Sequence, residues 1–477
     1  MALKVKTKID DPKVHDQEEE GTPVSPLGQY LNSSVVSLSL YAVLEFQAPV
    51  DDLPTSLIQE VFLPINPRFS CIMIDDKKSV KKWKPVEVNV YDHFFDPQFP
   101  EGLSPEEYEE CLHSYISKIA LEELPQSKPL WQIHKFRYPT RNGAGCLIFR
   151  FHHALGDGYS LMGALLSCLQ RADDPSLPLT LPSRQSSSTK AKKPNVSLLK
   201  SAAQFSYTVM TSLLDFGRAM LKSSILEDDY TPIRSSSKGV EFRPLAITTM
   251  AFRLDHIKKI TTNLKVTIND VMTGAILLGV RMYMDAEESK SSRANSTSLG
   301  LLNTRDIQGY KSVSEMLKPK ASMPWGNHFA FLHLPMPKLT DPRNSLDFVF
   351  QTHQTIKRLR NNYAAFLTGQ LLDISLKVAG PEATSKLLYN TMKNSSLTIS
   401  NMIGPIEQMA LANNPINELY FTASGLPQSL TVGLISYVGT LRATIATEEG
   451  LIDPNKVKTF IQKAYDDIFE AAILSGC

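Results

Sequence analysis

The sequence of 477 residues lacks several features that would assign it to a class at once. It has five cysteines, an odd number with no C-x-x-C pair, which disfavours a disulfide scaffold and fits a reducing compartment. Its net charge is only +1, so electrostatics gives no reason to expect nucleic acid as a partner. No G-x-S-x-G elbow is present, and the sequence therefore offers no nucleophilic serine of that kind.

Long apolar runs are also missing. Residues 1–24 are charged and have no apolar h-region, which predicts a mobile arm rather than a cleaved signal. Residues 201–214 carry no charge, but a spanning helix needs about 20 apolar residues. We expect a helix at 197–224 that packs on the protein surface or lies in a membrane interface, with a transmembrane span as the third alternative. The lysines that could meet anionic lipid are Lys190, Lys192, Lys193, Lys200 and Lys222.

What the sequence does contain is an alternation of strand-like and helix-like segments in both halves. "LWQIHKFRY" and "GCLIFRFHHAL" are typical of neighbouring strands, and "SPEEYEECLHSYISKIALEEL" begins with a serine cap and early acidic residues. A stretch rich in proline, serine and lysine begins near residue 175. We predict an α+β protein with an N-terminal domain at 25–175, a linker at 176–240 and a C-terminal domain at 241–477.

The segment "FRFHHALGDGYS", residues 149–160, carries the most distinctive polar residues. Side chains alternate along a strand, so His152 and His153 are predicted to point to opposite faces. Adjacent strand residues cannot converge on one ion, and a metal site that uses both is therefore disfavoured. His153 ends the more apolar face, where a neutral imidazole could act as a general base.

Asp157 and Gly158 follow in a predicted turn between this strand and a helix. The carboxylate of Asp157 could brace the loop by accepting backbone N–H groups or by pairing with a cation, and Gly158 would let the backbone bend. The alternative on spacing alone is two partly buried histidines at a strand end and an aspartate that caps the next helix.

"HHALGDG" fits the HHxxxDG signature of the CoA-dependent acyltransferase superfamily, which includes chloramphenicol acetyltransferase and peptide-synthetase condensation domains. Within it, the chain resembles the plant wax ester synthase/diacylglycerol acyltransferase family over nearly its whole length. The supporting stretches keep the expected order and spacing: "KPLWQIH" at 128–134, "TINDVMTGAI" at 267–276, "NTRD" at 303–306, "WGN" at 325–327 and "SNMIGP" at 400–405.

The resemblance implies two chloramphenicol-acetyltransferase-like domains with the active site at their interface. It implies His153 as the general base, His152 as its support, Asp157 as a structural brace and Gly158 as part of the turn. The family's Asn-Asp pair matches Asn269 and Asp270, and Asn269 would donate to the oxyanion or the substrate. The residues themselves leave open that Asn269 caps a helix starting at residue 270. Where the family more often has a small residue or proline, "SNMIGP" has Met402 and Ile403.

The resemblance also implies the reaction. A fatty acyl group would pass from acyl-CoA, a co-substrate and not a bound cofactor, to a long-chain alcohol, to diacylglycerol or to both. The enzyme would work at a membrane surface, at the endoplasmic reticulum with a cytoplasmic catalytic face, or at the plasma membrane. The alternatives are an acyltransferase for soluble alcohols or amines, whose "DFGWG" motif is missing, and a non-catalytic lipid-binding protein.

Overall fold

The computed structural model describes residues 22–50, 55–75, 81–177, 179, 198–305, 318, 324–339, 344–361 and 364–474. Most of the predicted arm, residues 1–21, lies outside these residues, as does most of the proline-rich start of the predicted linker. The described residues form a mixed α+β structure around two large sheets and one small one, which confirms the predicted fold class.

The N-terminal half supplies most of a seven-stranded sheet and all of a three-stranded one. Its elements are β1 (Thr22–Pro23), α1 (Pro26–Tyr30), β2 (Ser39–Phe46), β3 (Cys71–Asp75), β4 (Lys81–Pro85), β5 (Phe94–Phe95), α2 (Pro105–Ala120), β6 (Trp131–Phe136), β7 (Gly145–His152), α3 (Gly158–Ser167) and β8 (Gln170–Arg171). β1 pairs with β4, so the last residues of the predicted arm belong to the small sheet.

The C-terminal half supplies a six-stranded sheet and the helices that cover it. Its elements are α4 (Leu198–Lys222), β9 (Leu245–Arg253), α5 (Leu254–Leu264), α6 (Ile268–Glu287), β10 (Thr297–Asn303), β11 (Phe329–Pro335), α7 (Ser345–Asn361), α8 (Ala364–Lys393), β12 (Leu397–Ile403), β13 (Met409–Leu411), β14 (Asn414–Ser424), β15 (Leu430–Tyr437), β16 (Thr440–Glu448) and α9 (Pro454–Leu474). The sheet runs in the order β11-β10-β12-β15-β16-β9. Helices α5, α6, α7 and α9 pack with one of its faces in a single apolar core.

The C-terminal half contributes two strands to the sheet of the N-terminal half, which the sequence did not predict. The seven-stranded sheet has the order β5-β6-β7-β2-β14-β13-β8, so β13 and β14 of the C-terminal half complete it. β14 pairs with β2 from Ile416 opposite Phe46 to Ser424 opposite Ser39. The predicted segment 241–477 therefore extends into the first sheet, and the two halves are tied together by backbone hydrogen bonds.

β7 is central in its sheet and buried on both faces, as its apolar sequence predicts. Leu147, Phe149 and Phe151 pack in one apolar core, and Cys146 and Ile148 pack in another on the opposite face. This alternation fixes the directions of the side chains at the end of the strand.

α4 matches the helix that the sequence predicts at 197–224. Its last residue, Lys222, pairs with Asp228 and donates to the carbonyl of Asn394 at 3.0 Å, and both charged side chains are buried. The expectation that Lys222 could meet lipid is therefore wrong, because its ammonium group is used inside the protein. Among the described residues, no helix is both long and apolar enough to cross a bilayer.

Candidate active site

His153 lies directly after the last residue of β7, between the two large sheets. Its backbone N–H donates to the carbonyl of Leu38 at 2.8 Å, and only 8% of the residue is exposed. Its ring lies edge-on to that of Phe329 at the start of β11, with 5.5 Å between the centroids. The interface between the two halves of the chain therefore encloses this histidine.

Asn327 holds the imidazole of His153 in one orientation. The Nδ2 atom of Asn327 donates to the His153 carbonyl at 2.9 Å, which turns its Oδ1 toward the ring, 2.9 Å from Nδ1. Because Oδ1 can only accept, the hydrogen lies on Nδ1, and Nε2 keeps a free lone pair. Burial lowers the pKa of His153 below 6.5, although the charge of Asp157 opposes this shift. The ring is therefore neutral at pH 7.

His152 points away from this site, as strand alternation predicts. Its Nδ1 accepts from the backbone N–H of Ala154 at 3.1 Å, and its Nε2 lies 3.2 Å from the hydroxyl of Ser37. Burial lowers the pKa of His152 to about 3, with the neighbouring His153 adding to the effect. This neutral histidine supports the turn after β7, and it does not share a partner with His153.

Asp157 forms a buried ion pair with Arg305, a residue of the "NTRD" stretch. Two guanidinium nitrogens reach its two carboxylate oxygens at 2.7 and 3.1 Å. The backbone N–H groups of Ser160 and His328 also donate to this carboxylate, at 3.0 and 2.9 Å. Burial would raise the pKa of Asp157, but Arg305 and these donors hold it below its usual value. Asp157 thus makes both kinds of bracing interaction.

Gly326 completes the connection between the two halves. Its carbonyl accepts from Arg305 at 2.8 Å, from the Ser160 hydroxyl at 3.1 Å and from the Asp157 N–H at 3.2 Å. Its φ of +128° lies in a region that favours glycine. This glycine lets the backbone of "WGN" turn toward α3, and it thereby places Asn327 against His153.

Gly158 has a different role from the predicted turn. It is the first residue of α3, and its φ is not positive. A Cβ at this position would lie 2.5 Å from the Sδ atom of Met402 on β12. A side chain at this position would therefore displace the thioether of Met402, and the bend occurs before Gly158.

Asn269 and Asp270 lie at the start of α6, and no hydrogen bond joins either of them to His153. Asn269 accepts from Asn401 of β12 at 2.9 Å, while Asp270 lies 2.8 Å from Nδ1 of His353. The helix cap is Thr267, which forms a capping box with Asp270, so the reading of Asn269 as the cap is wrong. Asn401 and Met402 are adjacent on β12 and point to opposite faces. The hydrogen bond from Asn401 links Asn269 to this strand, and the role of Asn269 as a donor stays a prediction.

Two site residues were not predicted. Arg305 and Asn327 are 148 and 174 residues away from their partners Asp157 and His153. The only sequence signal was that they lie in the "NTRD" and "WGN" stretches. In the part of the chain that the structure describes, no three His, Cys, Asp or Glu side chains are grouped so that they could hold a metal ion.

Comparison with known proteins identifies the family of the chain. The model of the wax ester synthase/diacylglycerol acyltransferase catalytic domain matches residues 104–272, and that of the WS/DGAT C-terminal domain matches 325–469. The chain belongs to this family. Two wax ester synthase/diacylglycerol acyltransferases of Arabidopsis thaliana, numbers 4 and 8, are 26% and 28% identical to it. The alignments cover 93% and 92% of this chain and 88% and 94% of the relatives.

Solved structures show the same fold. The wax ester synthase/diacylglycerol acyltransferase from Marinobacter aquaeolei VT8 has a TM-score of 0.57 and 14% identity, covering 94% of this chain and all of that one. The first condensation domain of the CDA synthetase has a TM-score of 0.54 and 13% identity, covering 95% of this chain and 97% of that one. The predicted two-domain fold of the family is therefore confirmed.

Proposed function

We propose that this acyltransferase moves a fatty acyl group from acyl-CoA to the hydroxyl of a long-chain alcohol, of diacylglycerol or of both. The observation that carries the proposal is the pairing of His153 with Asn327, which leaves Nε2 of a neutral, buried imidazole free. The names of the relatives support the substrate classes. The alternatives, a soluble acceptor or lipid binding without catalysis, lack such a supporting observation.

In the proposed reaction, Nε2 of His153 takes the hydroxyl proton while the oxygen attacks the thioester carbonyl. The tetrahedral oxyanion then collapses and expels CoA thiolate, which receives the proton from the imidazolium. The new C–O bond forms in the attack and the C–S bond breaks in the collapse, so no acyl-enzyme is required. The oxyanion donor is either Asn269 or a backbone N–H. If Asn269 is the donor, Asn269→Ala is expected to lower kcat by about 10²–10³-fold.

The test of the proposal is ester synthesis by His153→Ala. We expect kcat to fall by about 10²–10⁴-fold with palmitoyl-CoA and either hexadecanol or dioleoylglycerol, because base catalysis supplies about that much. The control is His256→Ala, which removes a histidine on α5 that stacks on Phe469. A His153→Ala protein that is folded and keeps near wild-type activity would rule out this mechanism.

We propose further that α4 rests on a membrane surface. Met210, Leu213, Leu214 and Leu221 recur at helical spacing on one side of α4, and each is between 50% and 66% exposed. Ile374 and Val378 of α8, which packs beside α4, are also exposed. Lipid substrates partition into bilayers at about 0.8 kcal/mol per buried CH₂, so an enzyme that uses them benefits from contact with the bilayer. The endoplasmic reticulum, with the site facing the cytoplasm, is the proposed location, and the plasma membrane is the alternative.

Flotation with phosphatidylcholine vesicles tests this surface. The double variant Leu213→Glu/Leu214→Glu is expected to lose at least tenfold in vesicle-bound fraction, while the exposed α5 variant Lys258→Glu is expected to bind as the wild type does. Equal binding by all three proteins would contradict a role for α4. Imaging of a fluorescent fusion in cells would decide between the two membranes.

A further inference from the structure

Ser160 is a completely buried residue in the first turn of α3, and its hydroxyl group bonds only to the other half of the chain. It donates to the Gly326 carbonyl at 3.1 Å, and it accepts from the Gly326 N–H at 3.1 Å and from Arg305 at 2.9 Å. A serine hydroxyl has one hydrogen and two lone pairs, so its whole hydrogen-bonding capacity is used in this contact. Ser167 of the same helix instead bonds back to the Gly163 carbonyl, as helical serines commonly do.

Gly326 is the point at which this hydroxyl acts on the backbone. Its φ of +128° lies in a region that glycine enters freely, so the residue type by itself leaves the chain free to rotate here. The N–H and the carbonyl of Gly326 belong to the two peptide planes on either side of its Cα. Arg305 and the Asp157 N–H also bond to the carbonyl, but in the described chain the N–H has Ser160 as its one partner. Ser160 is therefore the residue that fixes both planes.

Asn327, the next residue, transmits this constraint to the imidazole of His153. The plane that contains the Gly326 carbonyl also contains the N–H of Asn327, so a rotation at Gly326 would move Asn327. Both of its side-chain hydrogen bonds with His153 measure 2.9 Å, which is the preferred length for N–H···O bonds. Such bonds weaken when the angle at the hydrogen bends, so the orientation of Asn327 decides whether they form.

We propose that Ser160 is a positioning residue of the reaction, whose hydroxyl group holds Asn327 in the orientation that leaves Nε2 of His153 free. The inference rests on the proposed function, because the position of the imidazole affects turnover only if His153 is the base. The ion pair of Asp157 with Arg305 joins the same segments, but it makes no contact with the Gly326 N–H. The hydroxyl therefore supplies a constraint that the ion pair does not.

The test is a double-mutant cycle of Ser160→Ala with Asn327→Ala, assayed with palmitoyl-CoA and hexadecanol. We expect Ser160→Ala to lower kcat by about three- to tenfold, and by no more than Asn327→Ala does, because it acts only through Asn327. In the Asn327→Ala background the same change should cost less than about twofold, since residues that act through one another are not additive. Equal fold losses in the two backgrounds would overturn the inference.

The acid limb of the activity profile provides a readout that a general loss of stability would not move. The hydrogen bond with Asn327 raises the pKa of His153, so Ser160→Ala should move the limb to lower pH, and no further than Asn327→Ala does. The other titratable groups that act with His153 are Asp157 and His152, and neither forms a hydrogen bond with the Ser160 hydroxyl. A limb that stays at its wild-type pH would overturn the inference.

Ser117→Ala on α2 is the matched control. Ser117 is also buried, and its hydroxyl also accepts a backbone N–H from the other half of the chain, that of Leu245 at 2.9 Å. We expect Ser117→Ala to lower the temperature of thermal unfolding as Ser160→Ala does, with kcat and the acid limb unchanged. The same losses of activity in both variants would assign the effect to weaker contact between the halves, and the positioning role would be wrong.

A measurement without turnover separates this inference from the proposed function. In protein labelled with ¹⁵N-histidine, the Nδ1–H signal of His153 is identified by its loss in His153→Ala. We expect its hydrogen exchange to be about fivefold faster in Ser160→Ala, because the bond to Asn327 opens more often. Ser160→Cys keeps a weaker donor and acceptor, so it should show a smaller change and provides the comparison if Ser160→Ala does not fold.

Unchanged exchange in both Ser160 variants would overturn the positioning role, whatever their activity. Faster exchange in these variants, together with full ester synthesis by His153→Ala, would support the positioning of the imidazole and refute its proposed role as the base.

Discussion

Asp157 and Asp270 occupy similar local positions in two different regions of the molecule. Each is a buried carboxylate at the start of a helix, and each accepts a backbone N–H there: Asp157 caps α3, and Asp270 closes the capping box of α6 with Thr267. Each also has one side-chain partner that is distant in sequence. Arg305, the partner of Asp157, is completely buried, whereas the side chain of His353, the partner of Asp270, is 27% exposed.

The difference lies in what each carboxylate connects. The partner of Asp157 comes from the other half of the chain, and the same network holds "WGN" and therefore Asn327 against His153. The partner of Asp270 comes from α7, a helix packed beside α6 in the same layer. Both aspartates thus accept a backbone N–H at the start of a helix. Only Asp157 also links the two halves of the chain at the candidate active site.

The largest effect is expected from breaking the Asp157–Arg305 pair. Arg305→Ala leaves a buried carboxylate without its cation, which should lower the free energy of unfolding by about 3–5 kcal/mol. We also expect at least a 100-fold loss of kcat/KM, because Asn327 loses its support. Urea denaturation and an ester assay measure the two effects. A stability loss below 1 kcal/mol would contradict the bracing role.

The pH dependence of this pair follows from the lowered pKa of Asp157. Its contribution to stability is fully present above the unfolded value of about 3.9, and it is lost as the pH falls through the lower folded value. The difference in stability between wild type and Arg305→Ala should therefore decrease as the pH falls, because the unpaired carboxylate of the variant takes up a proton more easily, and it should vanish only in strong acid. A difference that vanished already at pH 6 would point to another cause.

The next effect concerns Asn327 and the acid limb of the pH–activity profile, where activity falls as the pH is lowered. The wild-type limb is expected below pH 6.5, because the pKa of His153 is lowered and the neutral ring is the active form. The hydrogen bond that Nδ1 of His153 donates to Asn327 raises this pKa, so Asn327→Ala should move the limb to lower pH. Asn327→Ala should also lower kcat by about tenfold, which is part of the 10²–10⁴-fold acceleration that base catalysis supplies.

Asn327→Asp is the matched comparison. A carboxylate would still accept from Nδ1 but would favour the imidazolium, so the limb should move to higher pH. Profiles of kcat/KM against pH measure both shifts. Two variants with unmoved limbs would show that His153 is not the titrating base.

The comparison also explains how far the sequence could predict the site. The directions of His152 and His153 followed from strand alternation, and the bracing role of Asp157 followed from a short local spacing. Arg305 and Asn327 are distant in sequence, and no local pattern indicates which residues a folded chain brings into contact. The pairing of β14 with the first sheet and the burial of Lys222 likewise depend on tertiary packing.

The smallest effect is expected from removing the side-chain cap of α6. Thr267→Ala removes the side chain that accepts from the Asp270 N–H, and loss of such a cap costs about 1 kcal/mol. Because this network lies within one layer and makes no contact with His153, kcat should change less than twofold. Thermal unfolding and the hexadecanol assay provide the measurements, with Thr459→Ala on α9 as a mid-helix control. A 100-fold fall in kcat with only a small stability loss would show that Asp270, like Asp157, couples its helix to the reaction. The contrast between the two aspartates would then be wrong.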